Sequence, residues 1–264
     1  MKGIILAGGT GTRLLPLTAI TSKQLLPVYD RPMIFYPLNT LIKAGIKDIL
    51  IIVAREHSGQ FLNLLGSLFE KFGIRISFVV QKQTRGLAEA YILAEDFLDN
   101  EPSVMVLGDN IFENDFTEAI QSFEKGGRIF AKEVSDPERF GVVEFDSEKR
   151  AISIEEKPVS PKSNFAIPGV YIFDHEAVAV AKQLVPSERG ELEIVDIHKY
   201  YLGMKTLDVR LIEGAWFDAG THDSLLDASN FVRESNFIEQ FHPMVNEALS
   251  AFNKEFKEMI SIKH

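Results

Sequence analysis

The first half of the chain alternates between short, wholly apolar runs and segments of helical spacing, and this alternation constrains the fold most. GIILA (3–7), DILIIV (48–53), RISFVV (75–80) and SVMVL (103–107) are compact and rich in Ile and Val. Runs that stay apolar at successive positions suit strands covered on both faces. Between them lie segments such as GLAEAYILAEDFL (86–98), where Leu87, Ala90, Tyr91, Ala94 and Leu98 recur at three- and four-residue intervals. That spacing gives a helix one apolar face. Alternation of this kind predicts right-handed crossovers and a mainly parallel sheet with helices on both sides.

From Arg128 the pattern changes to strands and hairpins: RIFAKEV (128–134), GVVEFD (141–146), AISIEEK (151–157) and AIPGVYIF (166–173). Two helices, a strand near Ala215 and a helix after Gly220 come next. No repeat or linker-like stretch interrupts the chain, so 1–264 reads as one α/β domain. Its expected form is a Rossmann-like three-layer fold with a mainly parallel central sheet and a β-rich second half. The halves are drawn at 1–127 and 128–230, with a helical tail at 231–264. In the tail, Val245, Leu249, Phe252, Phe256 and Met259 form one helical stripe, expected to dock on the body.

Composition narrows the function. The chain has no cysteine, which excludes disulfides and thiolate chemistry. A formal net charge of -10 argues against nucleic-acid partners, which require a basic face. It leaves room for a small phosphorylated ligand in a locally basic pocket. The apolar run at 4–7 is too short for a signal peptide, and no segment reaches the length of a membrane-spanning helix. A cytoplasmic protein without a membrane partner is expected.

A glycine loop follows the first predicted strand. P-loop spacing fails, because Arg13 stands where the second glycine belongs. The dinucleotide fingerprint also fails, with Leu14 in the place of its third glycine. What remains is physical: Gly8, Gly9 and Gly11 allow backbone N–H groups to approach an anion, and Arg13 and Lys23 add charge. A surface turn with incidental basic residues accounts for the same composition.

The wording of the stretch LAGGTGTRLLPLTAITSKQLLPV (6–28) resembles the signature of sugar-phosphate nucleotidylyltransferases. The continuation YDRPMIFYPLNTLIKAGI resembles their glucose-1-phosphate thymidylyltransferase branch. Further similar blocks are QKQTRGLAEA, VLGDNIF, DPERFGVVEFD, ISIEEKP, PKSNFAIPGVYIFD, RGELEI and DAGTHDSLL, in order over 1–230. The resemblance implies transfer of a thymidylyl group from dTTP to glucose-1-phosphate, with Mg2+ as cofactor, serving dTDP-sugar synthesis. It also implies a homotetramer or homodimer.

Carried over position by position, the resemblance implies catalytic roles for Arg13, Lys23 and Lys157. Leu6, Gly8, Gly9, Gly11, Thr12, Arg13, Gln24, Gln81, Gly86 and Asp109 would hold the nucleotide. Asn110, Gly141, Glu156, Lys157, Val170, Tyr171, Arg189 and Trp216 would hold the sugar phosphate. Asp109 and Asp218 would ligate the metal. Both aspartates lie at or just past the end of a predicted strand, the edge where open α/β sheets bind ligands. Read alone, a strand-end Asp also serves as a turn or capping residue. The same chemistry with UTP or another hexose-1-phosphate, and a non-catalytic nucleotide-sugar sensor, are the competing readings. The chain departs from the family at Phe140, where tyrosine is usual, and at Pro168, where a small polar residue is usual.

Overall fold

The computed structural model describes residues 1–261; residues 262–264 of the expected tail, and the side chain of Met259, lie outside the described residues. Strand β1 (Lys2–Ala7) opens the chain, and a short hairpin of β2 (Pro27–Val28) and β3 (Arg31–Pro32) leads into α1 (Phe35–Lys43). Then come β4 (Asp48–Ala54), α2 (Ser58–Leu65), β5 (Arg75–Gln81), α3 (Glu89–Leu93), α4 (Glu95–Leu98), β6 (Ser103–Leu107), β7 (Asn110–Phe112) and α5 (Thr117–Gln121). The β-rich part comprises β8 (Gly127–Glu133), β9 (Gly141–Phe145), β10 (Ala151–Glu156), β11 (Phe165–Ala166) and β12 (Val170–Phe173). Helices α6 (Glu176–Gln183) and α7 (Ile194–Gly203), strands β13 (Leu207–Leu211) and β14 (Trp216–Asp218), and helices α8 (His222–Glu234) and α9 (Pro243–Ser261) complete it.

Strands β6, β1, β4 and β5 pair in parallel, in that spatial order. Beyond β6 the sheet continues through β12, β8, β11, β9 and β10, joined by antiparallel pairing, while β13 adds to β8 in parallel. The fold is therefore the expected Rossmann-like α/β arrangement with a β-rich second half.

The apolar runs explain the layers. In β1, Ile5 packs with Phe35, Leu38 and Leu41 of α1 on one side of the sheet. Its neighbour Ile4 packs with Tyr91 of α3 and Val195 and Tyr201 of α7 on the other. Successive side chains on a strand point to opposite faces, so a run apolar at every position feeds two cores at once. Three local expectations need correction. Strand β5 is the sheet's edge, with Val80 41 % exposed, so RISFVV is not covered on both faces. The helical segment at 86–98 starts only at Glu89 and breaks at Ala94 into α3 and α4. AIPGVYIF is interrupted at Pro168, which has no N–H to give to a ladder, and divides into β11 and β12.

Helix α8 starts where Thr221 predicts a cap. The Thr221 hydroxyl accepts from Ser224 N, and Ser224 Oγ accepts from Thr221 N, a reciprocal capping box directly after the loop that carries Asp218. In the tail, Val245 and Ala248 are fully buried against the body, but Phe256 is 49 % exposed, so only the first turns of α9 dock. Among the described residues no helix is long and apolar enough to cross a membrane. Replacing the cap, Thr221→Ala, is expected to cost about 1 kcal/mol, read as a melting-temperature drop of about 2–4 °C. An unchanged melting temperature would show that the box does not hold the start of α8.

Candidate active site

A cleft of ≈ 680 Å³ opens at the carboxyl ends of β1 and β6 and extends between β9, β10 and α7. Ligands of open α/β sheets bind at this edge. Of the residues singled out from sequence, Leu6, Gly9, Gly11, Thr12, Arg13, Lys23, Gln24, Gln81, Gly86, Asp109 and Asn110 line it. So do Gly141, Glu156, Lys157, Tyr171, Arg189, Trp216 and Asp218. Gly8 and Val170 do not. Val170 is fully buried in the core beneath the cleft, and Gly8 lies behind Gln81, whose amide occupies the space a side chain at position 8 would need.

The glycine loop leaves β1 and turns at Gly11, which has φ 64° in the left-handed region. The Gly11 carbonyl accepts from Thr18 Oγ1 at 2.7 Å and from Leu14 N at 2.9 Å, fixing the turn that presents Thr12 and Arg13. Arg13 Nη2 would lie only 2.7 Å from a Cβ built on Gly220, so the missing side chain there gives the guanidinium its place beside Asp218.

Asp109 follows the last turn out of β6. Asp218 ends β14, which pairs with β7 so that Asp218 faces Asn110, and Ala219 N donates to the Asp109 carbonyl at 2.9 Å. This pairing brings two aspartates from distant sequence to one spot. Asp109 is buried and Asp218 half-buried. Burial pushes the Asp109 carboxyl up, but the Lys23 ammonium ion-paired with it, and donation from Asn110 Nδ2, hold it below the usual value. Asp218 goes the other way: burial and the neighbouring Asp109 charge push it up to about 6 against the pull of Lys23, Arg13 and Arg139.

Asn110 holds the two ends of the cleft in register. Its Oδ1 accepts from Gly169 N at 3.0 Å and from Trp216 Nε1 at 2.7 Å. The Trp216 ring packs 4.9 Å from that of Phe140, the position where the family usually has tyrosine. At the far end, Arg189 Nη1 reaches Glu156 Oε1 at 3.3 Å and Arg189 Nη2 reaches Glu191 Oε2 at 2.7 Å. Burial pushes Glu156 up, with Glu193 adding to the push against Lys157 and Arg189. Lys157 has φ 43°, a conformation uncommon for a residue with a side chain, and it follows β10 directly.

Near the opposite end, Gln24 and Gln81 are buried and already oriented. Gln24 Oε1 accepts from Ser22 Oγ at 2.6 Å, and Gln81 Nε2 donates to Glu89 Oε2 at 2.8 Å. Glu89 also accepts from Arg85 N at 3.1 Å and Arg85 Nε at 2.7 Å. Gly86, at φ 104°, is pressed against the Leu192 backbone just before α7, and Ala88 N donates to Leu192 O at 3.1 Å. Sequence reasoning missed Glu89, Arg139, Glu193 and His198, all beside or lining the cleft. Glu89 lies inside the block QKQTRGLAEA but opposite the apolar stripe of Leu87, Ala90, Tyr91, Ala94 and Leu98, so the sequence alone reads it as a solvated charge.

Asp109 and Asp218 form a buried acidic pair whose mutual repulsion a divalent cation would relieve. Two carboxylates suit Mg2+, which keeps most of its shell for water and phosphate oxygens. No group of three or more acidic or histidine ligands is present among the described residues, so the fit is to this sparse, oxygen-only kind of site.

Residues 2–235 match the family described as Nucleotidyl transferase. The chain belongs to the nucleotidyl transferase family. Its relatives include the glucose-1-phosphate thymidylyltransferase of Neisseria meningitidis, 52% identical over 248 residues, which cover 92% of this chain and 86% of the relative. A solved Bacillus anthracis protein in complex with sucrose, assigned to the same group of thymidylyltransferases, is 43% identical with TM-score 0.86, covering 93% of this chain and 99% of that one. UDP-glucose pyrophosphorylase, solved with UDP-glucose, shares the fold at TM-score 0.78 and 24% identity over 89% of this chain and 98% of its own. Membership of this family makes the chain a nucleotidyltransferase enzyme.

The raised Asp218 makes stability depend on pH. The folded chain binds the Asp218 proton more tightly than the unfolded chain, whose carboxyl keeps its ordinary value of 3.8. Stability therefore falls as pH rises from about 4 to about 6 and stays lower above that. With a chelator present, Asp218→Asn is expected to melt several degrees above the parent at about pH 7.5, the gap closing by about pH 4. A gap of the same size at both pH values would contradict the raised Asp218 carboxyl.

Proposed function

We propose that this enzyme transfers the thymidylyl group of dTTP to glucose-1-phosphate, giving dTDP-glucose and pyrophosphate. The carrying observation is one cleft with two equipped ends: Arg13, Lys23, Asp109 and Asp218 at one, Glu156, Lys157 and Arg189 at the other. A sugar-phosphate oxygen forms a bond to the α-phosphorus while the α–β bridging bond breaks and pyrophosphate departs. The attacking phosphate is already ionised near neutral pH, so no general base is needed. The protein's tasks are in-line positioning and charge stabilisation.

Each end has residues suited to its part. Gln24 and Gln81 offer amide donors and acceptors to the pyrimidine edge, and their polar partners Ser22 and Glu89 fix which atoms face it. Arg13, held beside Asp218, is placed for the charge that builds on the transferring phosphate; its proton is not lost near neutral pH. Lys23 serves the leaving side and exchanges its ion pair with Asp109 for phosphate. Lys157 and Arg189 hold the sugar phosphate. Glu156 accepts from sugar hydroxyls, and Tyr171 and Trp216 pack against the ring. Asp109 and Asp218 would hold Mg2+, which when bound supplies neutralisation of phosphate charge. The location is cytoplasmic and the product feeds dTDP-sugar synthesis on this reading.

Pyrophosphate release with Mg2+ and glucose-1-phosphate, with dTTP and UTP in parallel, tests the reading. Release favouring dTTP supports it; equal release with UTP contradicts the choice of base, and no release with either contradicts the reaction. Arg13→Ala is expected to lower kcat by at least about 100-fold, while changing the Kd for dTTP by less than about fivefold. Equal losses in both would assign Arg13 to ground-state binding instead.

A further inference from the structure

Among the polar residues of the cleft with no part in the transfer described so far, one is buried without a partner. His198 sits on α7, one turn beyond Val195, and both line the cleft together with Ile194. Residues three and four apart share a helix face, so this wall is a single surface of α7. The imidazole is fully buried, and neither ring nitrogen has a hydrogen-bond partner among the described residues. Its ring centre lies 5.1 Å from that of Tyr171 and 5.7 Å from that of Phe173.

Burial, with the nearby Lys199 charge, drives the His198 pKa down to about 3, so the ring is neutral in use. A neutral imidazole has one donor and one acceptor. Leaving either unpaired in a protein interior costs about 1–3 kcal/mol, and folded proteins keep few such groups. A group of this kind in the wall of a ligand cleft is explained by a bond completed on binding, when a small shift of the wall opens its enclosed nitrogens to the ligand or a water. The wall adjoins the hexose end: a Cβ built on Gly141 would lie 3.0 Å from Val195 Cγ2 and 3.4 Å from Glu156 Oε2. Tyr171, the ring nearest His198, lines the same cleft.

We propose that His198 is a specificity-determining residue of the hexose end, its imidazole hydrogen-bonding a hydroxyl of the bound sugar phosphate or the water that hydrates it. This rests on the proposed transfer to a hexose phosphate. Simple aromatic packing against Tyr171 and Phe173 is the competing role.

Two variants separate the roles. His198→Phe keeps an aromatic ring and removes both nitrogens; His198→Asn keeps a donor and an acceptor. Steady-state rates are measured with dTTP and either glucose-1-phosphate or galactose-1-phosphate. His198→Phe is expected to raise the KM for glucose-1-phosphate about tenfold, the worth of one neutral hydrogen bond, and to narrow the preference between the two sugars. The KM for dTTP should stay within about twofold, and His198→Asn should recover part of the loss. Unchanged discrimination in His198→Phe, or equal shifts for both substrates, overturns the proposal while an active parent upholds the reaction. A parent inactive with dTTP and glucose-1-phosphate overturns both.

The parent protein offers a second measurement that needs no variant to fold. With the histidines carbon-labelled, the His198 Cε1–H resonance is assigned by its through-space contacts to the Tyr171 and Phe173 rings and is expected not to titrate between about pH 8 and 5. Adding dTDP-glucose should shift it, and adding dTDP should not. No shift with dTDP-glucose, or the same shift with both, overturns the proposal.

Discussion

The arrangement of the cleft depends on two short strands, β7 and β14, whose pairing places Asp109 and Asp218 side by side. The pairing uses only three residues from each strand, yet it joins the parallel half of the sheet to the loop before α8. Bringing two carboxylates together in a buried place is unfavourable, and the raised Asp218 records that cost. Lys23 and Arg13 offset part of it from the loop after β1. A bound triphosphate would draw Lys23 and Arg13 to its own charge, and a divalent cation would then take their place beside the two carboxylates.

Around that pair the cleft is held by contacts that do several jobs each. Asn110 supports Trp216 and Gly169 with one oxygen and Asp109 with its nitrogen, so the aspartate pair and the Trp216 side of the cleft share one side chain. Glu89 fixes Gln81 and the Arg85 backbone together. The close approach of Gly86 to Leu192 links the Gln81 end of the cleft to the start of α7, the helix that walls its far end. Preorganised dipoles and charges stabilise a developing phosphate charge more than mobile ones, because nothing has to reorient during reaction.

Much of this was legible in the sequence, for identifiable reasons. Apolar runs at every position, such as SVMVL, report burial on two faces, and the sheet around β6 and β1 follows. RISFVV carries the same pattern but lies at the edge, since sequence does not say which strand ends a sheet. AIPGVYIF reads as one strand run although Pro168 interrupts it; that Asn110 accepts from Gly169 N just after the break depends on tertiary structure. The site residues came from wording rather than spacing. Val170 and Gly8 fall outside the cleft because one faces the core and the other supports Gln81. Glu89 and His198 escaped notice because their significance comes from partners, present or missing, that only the folded chain reveals.

The central claim is that Asp109 and Asp218 act as one unit, and a double-mutant cycle on kcat addresses it most directly. Asp109→Asn, Asp218→Asn and the double variant are assayed for pyrophosphate release under the same Mg2+ concentration. If one cation site depends on both, each single change drops kcat to the same low level and the double change is no worse. Losses that multiply, with the double variant slower by the product of the two singles, would show two independent groups and contradict the account.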